Sequence, residues 1–499
     1  MNNQILLSKA KNIYLVGIKG VGMTALAQIL KSRGKKVTGS DTKEKFFTDG
    51  VLRKLRISFK EGFSDKNLSK NTDLVIYSTA FNAREHPEII AAKRKKLPVI
   101  SYPQALSTLF NSELGIAVSG THGKTTTSAL IAESLKNLGL DPTALIGSRV
   151  ANWQTNAITG KSPFFVIEAD EHQNKLKHYH PWSLVLTNID YDHPDFYRKP
   201  EDYYQAFKKW VGEWQAKKSP VPKIGVFNGD DLKTKRLMRE LKLNDGRNCI
   251  ILTYGINKDC DFIIHLPSVP SLVRRGNKGE VFSKVNIEIN IHNEKRRIIP
   301  IKTTLIGEHN AYNLAAAFAF VTGLNLITNK ISEEELKSIP LNKIARSFAT
   351  FRGTERRMQY IGRKGKVLVY DDYAHHPREI EAALLALRKN FLKHKIFVIF
   401  QPHTFTRTSA FLKEFVKSLK LADIIGLLPI YGSAREAKGK ITSASIEQML
   451  SENKKTVFNF PSHKDCLEFL RKYKFKNPTI LITMGAGDGW RIGRSFLKF

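Results

Sequence analysis

An apolar run that ends in a glycine-containing loop and continues as a helix pattern constrains this chain more than any other segment. The run Leu114 to Val118 leads into Ser119-Gly120-Thr121-His122-Gly123-Lys124-Thr125-Thr126, and apolar residues then recur at helical spacing until Gly139. Glycines let backbone N–H groups approach an oligophosphate, and the N-terminus of the following helix favours negative charge. Lys124 adds a cation, and the Thr125 hydroxyl can hold Mg2+. The segment therefore predicts a strand, a phosphate-binding loop and a helix of an α/β fold that binds ATP.

The glycine spacing of this loop is unusual. Val118 stands where the pattern G-x-x-x-x-G-K-[ST] has its first glycine. The alternative is a glycine turn without a ligand, but Gly, Lys and Thr seldom fall in this order between a strand and a helix.

Length and composition indicate a globular protein of several domains. The 499 residues predict about three domains, and 42% hydrophobic residues with 10% aromatics argue against disorder. We find no apolar run near the roughly 18 residues that span a membrane, and the N-terminal segment lacks the pattern of a secretory signal. Three cysteines without a CxxC pair predict neither disulfides nor a zinc site. We expect a cytoplasmic protein without a membrane partner, as a monomer or weak homodimer.

The charge balance is strongly basic. With 80 Lys and Arg against 46 Asp and Glu, the formal net charge is +34, which is compatible with a nucleic-acid partner. The basic residues are scattered, however, and no helix-turn-helix, RNA-recognition or zinc-finger pattern accompanies them. We therefore favour solvated faces over specific nucleic-acid binding.

Two more strand-loop-helix openings flank the first one. Near the N-terminus, the strand pattern Ile13 to Val16 precedes the loop Gly17 to Gly22, and a second strand pattern ends at Asp41, where an acid meets a ribose or base in nucleotide-binding units. The spacing G-x-x-G-x-G does not favour a dinucleotide. Towards the C-terminus, strand patterns at Val367 to Asp372 and Ile396 to Phe400 predict a third unit. The fold class is therefore α/β, with domain boundaries near residues 108 and 347.

Acidic residues follow two apolar runs downstream of the phosphate loop. Glu168-Ala169-Asp170-Glu171 follows the first, and Asp192-His193 follows the second. Carboxylates suit Mg2+ and imidazole can join a second metal, at the sheet edge where ligands gather. A solvated strand end at Glu168 and a packed histidine at His193 remain alternatives.

Further polar segments have the residue types of a substrate cleft. Asn310 and Asn313 open an alanine-rich helix, where they fit either an adenine contact or helix caps. Phe351 to Arg357 holds guanidinium groups suited to phosphate, or to surface ion pairs. His375 and Arg407 lie in loops at the ends of two predicted strands, and we favour substrate contact over metal binding for this region.

Taken in order, these motifs resemble the Mur ligase family, essentially from end to end. Gly17 to Met23 is similar to its uridine-nucleotide loop, Gly120 to Thr126 to its ATP loop, and the segments at Glu168 and Asp192 to its metal motifs. The later segments match in sequence as well: Gly307 to Asn313, Phe351 to Arg357, Asp371 to Pro377 and Gln401 to Thr408.

The resemblance implies three α/β domains and a two-step reaction. The expected domains are a Rossmann-like UDP-sugar domain over 1–108, a central P-loop ATPase domain over 109–346, and a Rossmann-like amino-acid domain over 347–499. ATP would phosphorylate the lactyl carboxylate of UDP-N-acetylmuramate, and the amine of L-alanine would attack the acyl phosphate, which is a step in peptidoglycan precursor synthesis.

The resemblance also implies roles for individual residues. Catalytic groups would be Lys124, Glu168, His193, Arg356, His375 and Arg407. ATP would contact Gly120 to Thr126, Asn310, Asn313 and Arg356. The UDP-sugar would contact Gly17, Gly20, Val21, Gly22, Met23 and Asp41. Mg2+ would be held by Thr125, Glu168 and His193.

Two positions depart from the family pattern, and a third separates branches of the family. Lys19 stands where the uridine-nucleotide loop usually has glycine, and Thr404 stands where an arginine is usual. Phe207 occupies the place of a lysine that is carbamylated in ligases adding later stem-peptide residues, so we expect no carbamate. Two alternatives stay open: a salvage ligase that joins UDP-N-acetylmuramate to a tripeptide, and a basic nucleic-acid-binding ATPase.

Overall fold

The computed structural model describes residues 3–243, 248–266, 283–290, 297–331, 339–432, 439–453 and 455–499. Strands and helices alternate along these residues and form three sheets, of five, ten and six strands. Most strand pairs are parallel, as the alternation of strand and helix patterns predicts. The three α/β units expected from the sequence are present in chain order, so the predicted fold class is confirmed.

The first unit has a fully parallel sheet. Its elements are α1 (Asn3–Lys9), β1 (Asn12–Val16), α2 (Val21–Ser32), β2 (Lys36–Asp41), α3 (Phe47–Lys54), β3 (Ser58–Glu61), β4 (Leu74–Tyr77), α4 (Pro87–Arg94), β5 (Val99–Ser101) and α5 (Tyr102–Asn111), with a 3-10 helix at Asp65–Asn67. The strand order is β3-β2-β1-β4-β5. Because the order reverses between β1 and β4, the loops that follow these two strands border a crevice.

The second unit is the largest. Its strands are β6 (Leu114–Ser119), β7 (Thr143–Val150), β8 (Thr155–Ile158), β9 (Phe164–Glu168), β10 (Ser183–Leu186), β11 (Lys223–Asn228), β12 (Cys249–Gly255), β13 (Phe262–His265), β14 (Ser283–Ile289) and β15 (Arg297–Thr303). Its helices are α6 (Lys124–Asn137), a 3-10 helix at His172–His178, α7 (Pro200–Ala216), α8 (Leu232–Glu240), α9 (Glu308–Ile331) and α10 (Leu341–Ser347).

The strand order of the second sheet places the phosphate loop at its centre. The order is β15-β14-β13-β12-β11-β10-β6-β9-β7-β8, parallel from β7 to β13 with antiparallel pairs at both edges. Because β6 lies between β9 and β10, the loops after these three strands meet at one edge of the sheet. Ligands gather at such an edge in open α/β sheets.

The third unit has a mostly parallel six-stranded sheet. Its elements are β16 (Gln359–Lys364), β17 (Val367–Asp372), α11 (Pro377–Asn390), β18 (Lys395–Phe400), α12 (Phe405–Ala410), α13 (Leu412–Leu419), β19 (Ile424–Leu427), α14 (Ser443–Glu452), β20 (Thr456–Asn459), α15 (His463–Lys472), β21 (Thr479–Met484) and α16 (Trp490–Phe496). The order is β16-β17-β21-β18-β19-β20, and β16 is antiparallel to β17. The loops after β17, β18 and β21 are therefore neighbours.

Helix α9 corrects one expectation from the sequence. Its segment Glu308–Ile327 is long and apolar enough to cross a membrane by length and composition, whereas the sequence analysis found no apolar run of that size. This segment is 89% buried against the second unit, as in the core helix of a globular domain. Its apolar residues pack on β11 and β12 and contact α6, so they are explained by the core of the second unit.

Side chains of the second unit also dock the first one. Asn156 Nδ2 on β8 donates to the Val21 carbonyl at 2.9 Å, and Thr155 Oγ1 donates to Gln28 Oε1 at 2.9 Å. These bonds hold α2, from its first residue Val21 to Gln28, against the second sheet.

Candidate active site

The loop between β6 and α6 has the close backbone packing that its glycines permit. Gly120 has φ of +130° and Gly123 has φ of +85°. A Cβ at Gly120 would lie 2.2 Å from Thr187 Oγ1, and one at Gly123 would lie 2.3 Å from Asn313 Oδ1. Both positions therefore require glycine, and the loop is wedged between the end of β10 and the start of α9.

Lys124 lies at the first turn of α6 with its ammonium folded back onto the loop. Its Nζ donates to the carbonyls of Gly120 at 2.6 Å and Thr121 at 3.0 Å, and lies 2.9 Å from Glu171 Oε2. Burial alone would lower the pKa of Lys124, but the charges of Glu171, Glu168 and Asp170 raise it. The ammonium is therefore charged and fixed at the mouth of the loop.

Thr125 and Glu168 form an oxygen pair beside this ammonium. The Thr125 hydroxyl donates to Glu168 Oε2 at 2.9 Å, and the Gly147 backbone N–H donates to the same oxygen at 3.0 Å. A hydroxyl and a carboxylate at this separation are ligands that Mg2+ accepts.

His193 lies at the next strand end, near a second group of carboxylates. Its Nε2 is 3.5 Å from Glu171 Oε1, and Asp170, Glu171 and His193 each offer an atom within 4.8 Å of the other two. Burial would lower the pKa of His193, while Glu171 and Asp192 raise it. The predicted metal residues thus fall into two groups: Thr125 with Glu168, and His193 with Glu171. Glu171 was part of a predicted motif but had no role assigned to it.

A cavity of about 500 Å³ opens between the phosphate loop and the third unit. Its lining includes Gly123, Thr125, Asn310, Asn313, Arg357 and Glu379. Asn313 Nδ2 donates to Asn310 Oδ1 at 3.1 Å, and Asn310 Nδ2 donates to the Ile306 carbonyl at 2.8 Å. The two asparagines therefore order the start of α9 at the cavity wall, next to the loop.

Arg356 and Arg357 point in different directions. Arg356 binds within the third unit: Nε lies 3.2 Å from Asp371 Oδ2, Nη1 donates to the Gly487 carbonyl at 3.1 Å, and Nη2 donates to the Gly485 carbonyl. Arg357 instead lines the cavity, and its Nη2 is 3.5 Å from Thr125 Oγ1. These bonds hold Arg356 within the third unit, which does not agree with the expectation that Arg356 reaches the phosphate. Arg357 is the guanidinium that faces the loop.

Arg407 is buried against the second unit. Its Nε and Nη2 donate to Asp192 Oδ1 at 3.0 and 2.8 Å, and its Nη1 lies 3.2 Å from His403 Nδ1. Burial would raise the pKa of Asp192, but the guanidinium holds it far below its usual range. Thr404, at the family's arginine position, caps α12 and accepts from the Arg407 N–H at 3.4 Å.

His375 lies at the end of β17 close to this pair. Its Nδ1 is 3.0 Å from the Tyr373 carbonyl, and the ring lies 6.0 Å from that of His403. Burial lowers the pKa of His375 to about 3, so the ring is neutral. Because a carbonyl can only accept, Nδ1 carries the proton and Nε2 keeps a free lone pair.

His122 of the phosphate loop bridges the second and third units. Its Nε2 lies 3.2 Å from Asp190 Oδ2, and its Nδ1 lies 3.2 Å from Glu379 Oε1 on α11. Burial would lower the pKa of His122, but the two carboxylates raise it to about 9. Sequence reasoning missed Glu379, because an acid in the first turn of a helix is an ordinary feature.

The loop after β1 is closely packed within the first unit. Gly17 has φ of +81°, and a Cβ there would lie 2.6 Å from the Phe81 ring, whereas a Cβ at Gly22 would lie 2.6 Å from the Tyr102 hydroxyl. Gly20 caps α2, which begins with Val21, Gly22 and the buried Met23.

Asp41 and Lys19 make hydrogen bonds to backbone groups in and near this loop. Asp41 Oδ2 accepts from the Lys19 N–H at 2.6 Å and Oδ1 accepts from the Thr42 N–H at 2.7 Å. The Lys19 ammonium points away from the loop glycines to the Thr42 and Glu44 carbonyls at 2.8 and 2.9 Å. Asp41, expected to contact nucleotide, therefore has both oxygens bonded to backbone N–H groups.

Phe207 and Lys208, at and beside the position of the lysine that is carbamylated in some ligases, are held within the second unit. Phe207 is fully buried in α7, and Lys208 Nζ lies 2.9 Å from Glu240 Oε2.

Three family models match consecutive parts of the chain. They are the catalytic domain of the Mur ligase family over residues 12–114, the Mur ligase middle domain over 118–321, and the glutamate ligase domain of Mur ligases over 356–487.

Curated relatives extend the similarity to nearly the full length. A UDP-N-acetylmuramate--L-alanine ligase of Desulfitobacterium hafniense is 33% identical over 491 residues, which is 97% of this chain and 99% of the relative. One of Borreliella burgdorferi is 34% identical over 491 residues, or 96% of this chain and 97% of the relative. The solved UDP-N-acetylmuramate-alanine ligase of Thermotoga maritima is 27% identical with a TM-score of 0.74, over 98% of both chains. A murein peptide ligase of Psychrobacter arcticus, at 22% identity and a TM-score of 0.65 over 98% of both chains, shares the fold.

Proposed function

The chain belongs to the Mur ligase family, and we propose that it joins L-alanine to the lactyl carboxylate of UDP-N-acetylmuramate with ATP as the energy source. The carboxylate is first phosphorylated by ATP, and the amine of L-alanine then displaces phosphate to form an amide. The product is the first peptide-bearing precursor of peptidoglycan.

One observation carries the chemical part of this proposal: cationic and polar groups of the third unit face the phosphate loop of the second. Arg357 lies 3.5 Å from the Thr125 hydroxyl, and His122 of the loop pairs with Glu379 of α11. An ATPase that transfers phosphate to water needs no such third unit, whereas a ligase has to bring a second acceptor to the activated carboxylate. The full-length similarity to alanine-adding relatives supports the identity of that acceptor.

The first step brings two anions together, so fixed positive charge has to offset their repulsion. The backbone N–H groups of Gly123 to Thr126 and the Lys124 ammonium would hold the phosphates at the start of α6. The Thr121 and His122 N–H groups of the same loop donate to Asn188. The Arg357 guanidinium faces the same loop. We therefore assign to Arg357 the phosphate contact that was expected of Arg356. Asn310 and Asn313 would fix the nucleotide from the start of α9.

The residues beside the loop fit Mg2+, because the Thr125 hydroxyl and Glu168 carboxylate converge at 2.9 Å and His193 lies with Asp170 and Glu171. Thr125 and Glu168 would hold one ion and His193 a second. When bound, Mg2+ would neutralise charge on the phosphoryl group and the carboxylate.

In the second step, the chain has to position the amine and keep water away from the acyl phosphate. The neutral His375 offers its Nε2 lone pair as an acceptor for an amine N–H. Arg407 would help to orient the acyl phosphate. It would do so by direct contact and by holding Asp192, the residue that precedes His193.

The first unit is proposed to hold the UDP-sugar. Its loop from Gly17 to Met23 begins the helix α2, whose N-terminus suits a diphosphate. We retain the division into a UDP-sugar domain (1–108), an ATPase domain (109–346) and an amino-acid domain (347–499), in a cytoplasmic enzyme that is a monomer or weak homodimer.

Product analysis tests this function. The full-length protein is incubated with ATP, Mg2+, UDP-N-acetylmuramate and a mixture of amino acids, and the products are identified by mass spectrometry. We expect ADP, phosphate and one adduct, whose mass is that of UDP-N-acetylmuramate plus L-alanine minus water. Turnover only with L-Ala-D-Glu-diaminopimelate would identify the salvage reaction instead, and ATP hydrolysis stimulated by tightly bound, salt-sensitive DNA or RNA would identify a nucleic-acid ATPase.

A further inference from the structure

A cluster of nitrogen and oxygen ligands lies at the outer side of the metal motifs. His172 Nε2 lies 3.1 Å from Asp195 Oδ2. The His172 and His193 rings stack with centroids 4.4 Å apart and an interplanar angle of 17°, so one ring has to rotate out of the stack for both imidazoles to direct a lone pair at the same ion. One ligand atom from each of His172, His193 and Asp195 falls within 4.8 Å of the other two. Their side chains are 24%, 19% and 51% exposed, so an ion can reach them from solvent.

The backbone adopts unfavourable angles to bring these side chains together. His193 has φ of +57°, and the residues after His172, Gln173 and Asn174, have φ of +57° and +54°. Left-handed conformations cost roughly 1–2 kcal/mol for residues other than glycine. The chain sustains this cost on both sides of the cluster, in the turn that follows β9 and in the turn that follows β10.

His193 belongs to two ligand groups of different chemistry. With Asp170 and Glu171 it forms an oxygen-rich group, and those carboxylates lie 2.5 Å from Lys175 Nζ and 2.9 Å from Lys124 Nζ. With His172 and Asp195 it forms a nitrogen-rich group. Mg2+ prefers oxygen, whereas two imidazoles and a carboxylate are a donor set for Zn2+ and related transition ions.

We propose that His172, His193 and Asp195 form a binding site for a transition-metal ion of the Zn2+ and Co2+ class, distinct from the oxygen site at Thr125 and Glu168. Occupation would withdraw His193 from the carboxylate-side Mg2+ and so inhibit ligation. This consequence for activity rests on the proposed function, whereas the binding itself does not.

Direct titration tests the site without turnover. The full-length, metal-free protein is titrated with Co2+ and followed by visible absorption, and Zn2+ is then added as a competitor. We expect one Co2+ with the intense bands of a low-coordinate nitrogen site, displaced by Zn2+. Since loss of even an outer-shell partner costs about 10–100-fold in metal affinity, His172→Ala and Asp195→Asn should each weaken binding by at least about 100-fold.

A matched control separates this site from adventitious histidine binding. His265 Nε2 lies 2.8 Å from Glu288 Oε2 on the neighbouring strands β13 and β14, and the His265 side chain is 44% exposed. His265→Ala should bind Co2+ as the unchanged protein does. Equal Co2+ affinity in the unchanged protein and in His172→Ala, or no Co2+ binding at all, would overturn the proposal.

Inhibition of ligation by Zn2+ at fixed, saturating Mg2+ provides the second readout. The Zn2+ concentration for half-inhibition should rise about 100-fold in His172→Ala, in proportion to the loss of affinity. If no variant ligates under any condition, the proposed function fails while the Co2+ titration still decides on the metal site.

Discussion

Arg407 donates from Nε and Nη2 to the same oxygen of Asp192, at 3.0 and 2.8 Å, and thereby joins the third unit to the second. The two side chains are 6% and 7% exposed. Asp192 directly precedes His193, whose backbone is left-handed. The pair therefore links the position of the third unit to the orientation of His193.

Breaking this pair should cost far more than removing it as a whole. Arg407→Met leaves a buried carboxylate without its cation, and we expect a loss of about 3–5 kcal/mol in the free energy of unfolding. Asp192→Asn in the same chain should restore much of this loss, because the uncompensated charge disappears. Calorimetric melting of both single variants and the double variant measures the coupling, and strictly additive losses would contradict it.

Arg357 should matter for turnover and Arg356 for stability. Arg357 faces Thr125 across the cavity, so Arg357→Ala should lower kcat by about 10²–10³-fold, as loss of one charge-stabilising donor does. Steady-state kinetics at saturating UDP-N-acetylmuramate and L-alanine, with melting as a check on folding, measures this.

The neighbouring arginine is the matched control. Arg356→Ala removes bonds to Asp371, Gly485 and Gly487 within the third unit, so its main effect should be a lower melting temperature. A variant pair in which Arg356→Ala abolishes turnover at unchanged stability, while Arg357→Ala is active, would show that the assignment is reversed.

This pair also shows where sequence reasoning stops. The alternation of strands and helices and the phosphate loop depend on local patterns, and the structure contains both. The choice between Arg356 and Arg357 depends on Asp371, Gly485 and Gly487, which are 15, 129 and 131 residues away from Arg356. No local pattern encodes such contacts.

The same limit applies to charged residues that organise the site without belonging to a motif. Glu379 was passed over because one acid at a helix start is common, yet it is the partner of His122 across two units. Lys19 was noticed as a departure from the family, but its direction was not predictable, because the groups that attract its ammonium lie on β3, α3 and the loop after β2.

His122 should make stability depend on pH. Its pKa is raised to about 9 in the folded protein, against about 6.5 for an unfolded histidine. A raised pKa means that the stabilisation is fully present below about pH 6.5 and is lost as pH rises through about 9; its size is on the order of 3 kcal/mol. We expect the melting-temperature difference between the unchanged protein and His122→Asn to shrink between pH 6.5 and 9.5. A difference that stays constant over this range would exclude the charged bridge.

Lys19 should act as a structural cation of the first unit. Its fully buried ammonium lies 3.4 Å from Asp49 Oδ1 and 3.3 Å from Glu61 Oε1. Lys19→Met leaves a buried carboxylate unpaired, so we expect a loss of about 3–5 kcal/mol in the free energy of unfolding. We also expect a higher KM for UDP-N-acetylmuramate, because the ammonium holds the Thr42 and Glu44 carbonyls that follow Asp41.

Lys45 offers the matched comparison, since it binds the same Glu61 oxygen at 2.6 Å with a side chain that is 66% exposed. An exposed ion pair contributes about 0–1 kcal/mol, so Lys45→Met should be nearly neutral in urea unfolding and leave the KM for the sugar nucleotide unchanged. Equal losses of unfolding free energy in the two variants would mean that burial of the Lys19 ammonium does not increase its contribution to stability. A stability loss in Lys19→Met without any change in KM would confine its role to packing and separate it from the loop that is proposed to hold the diphosphate.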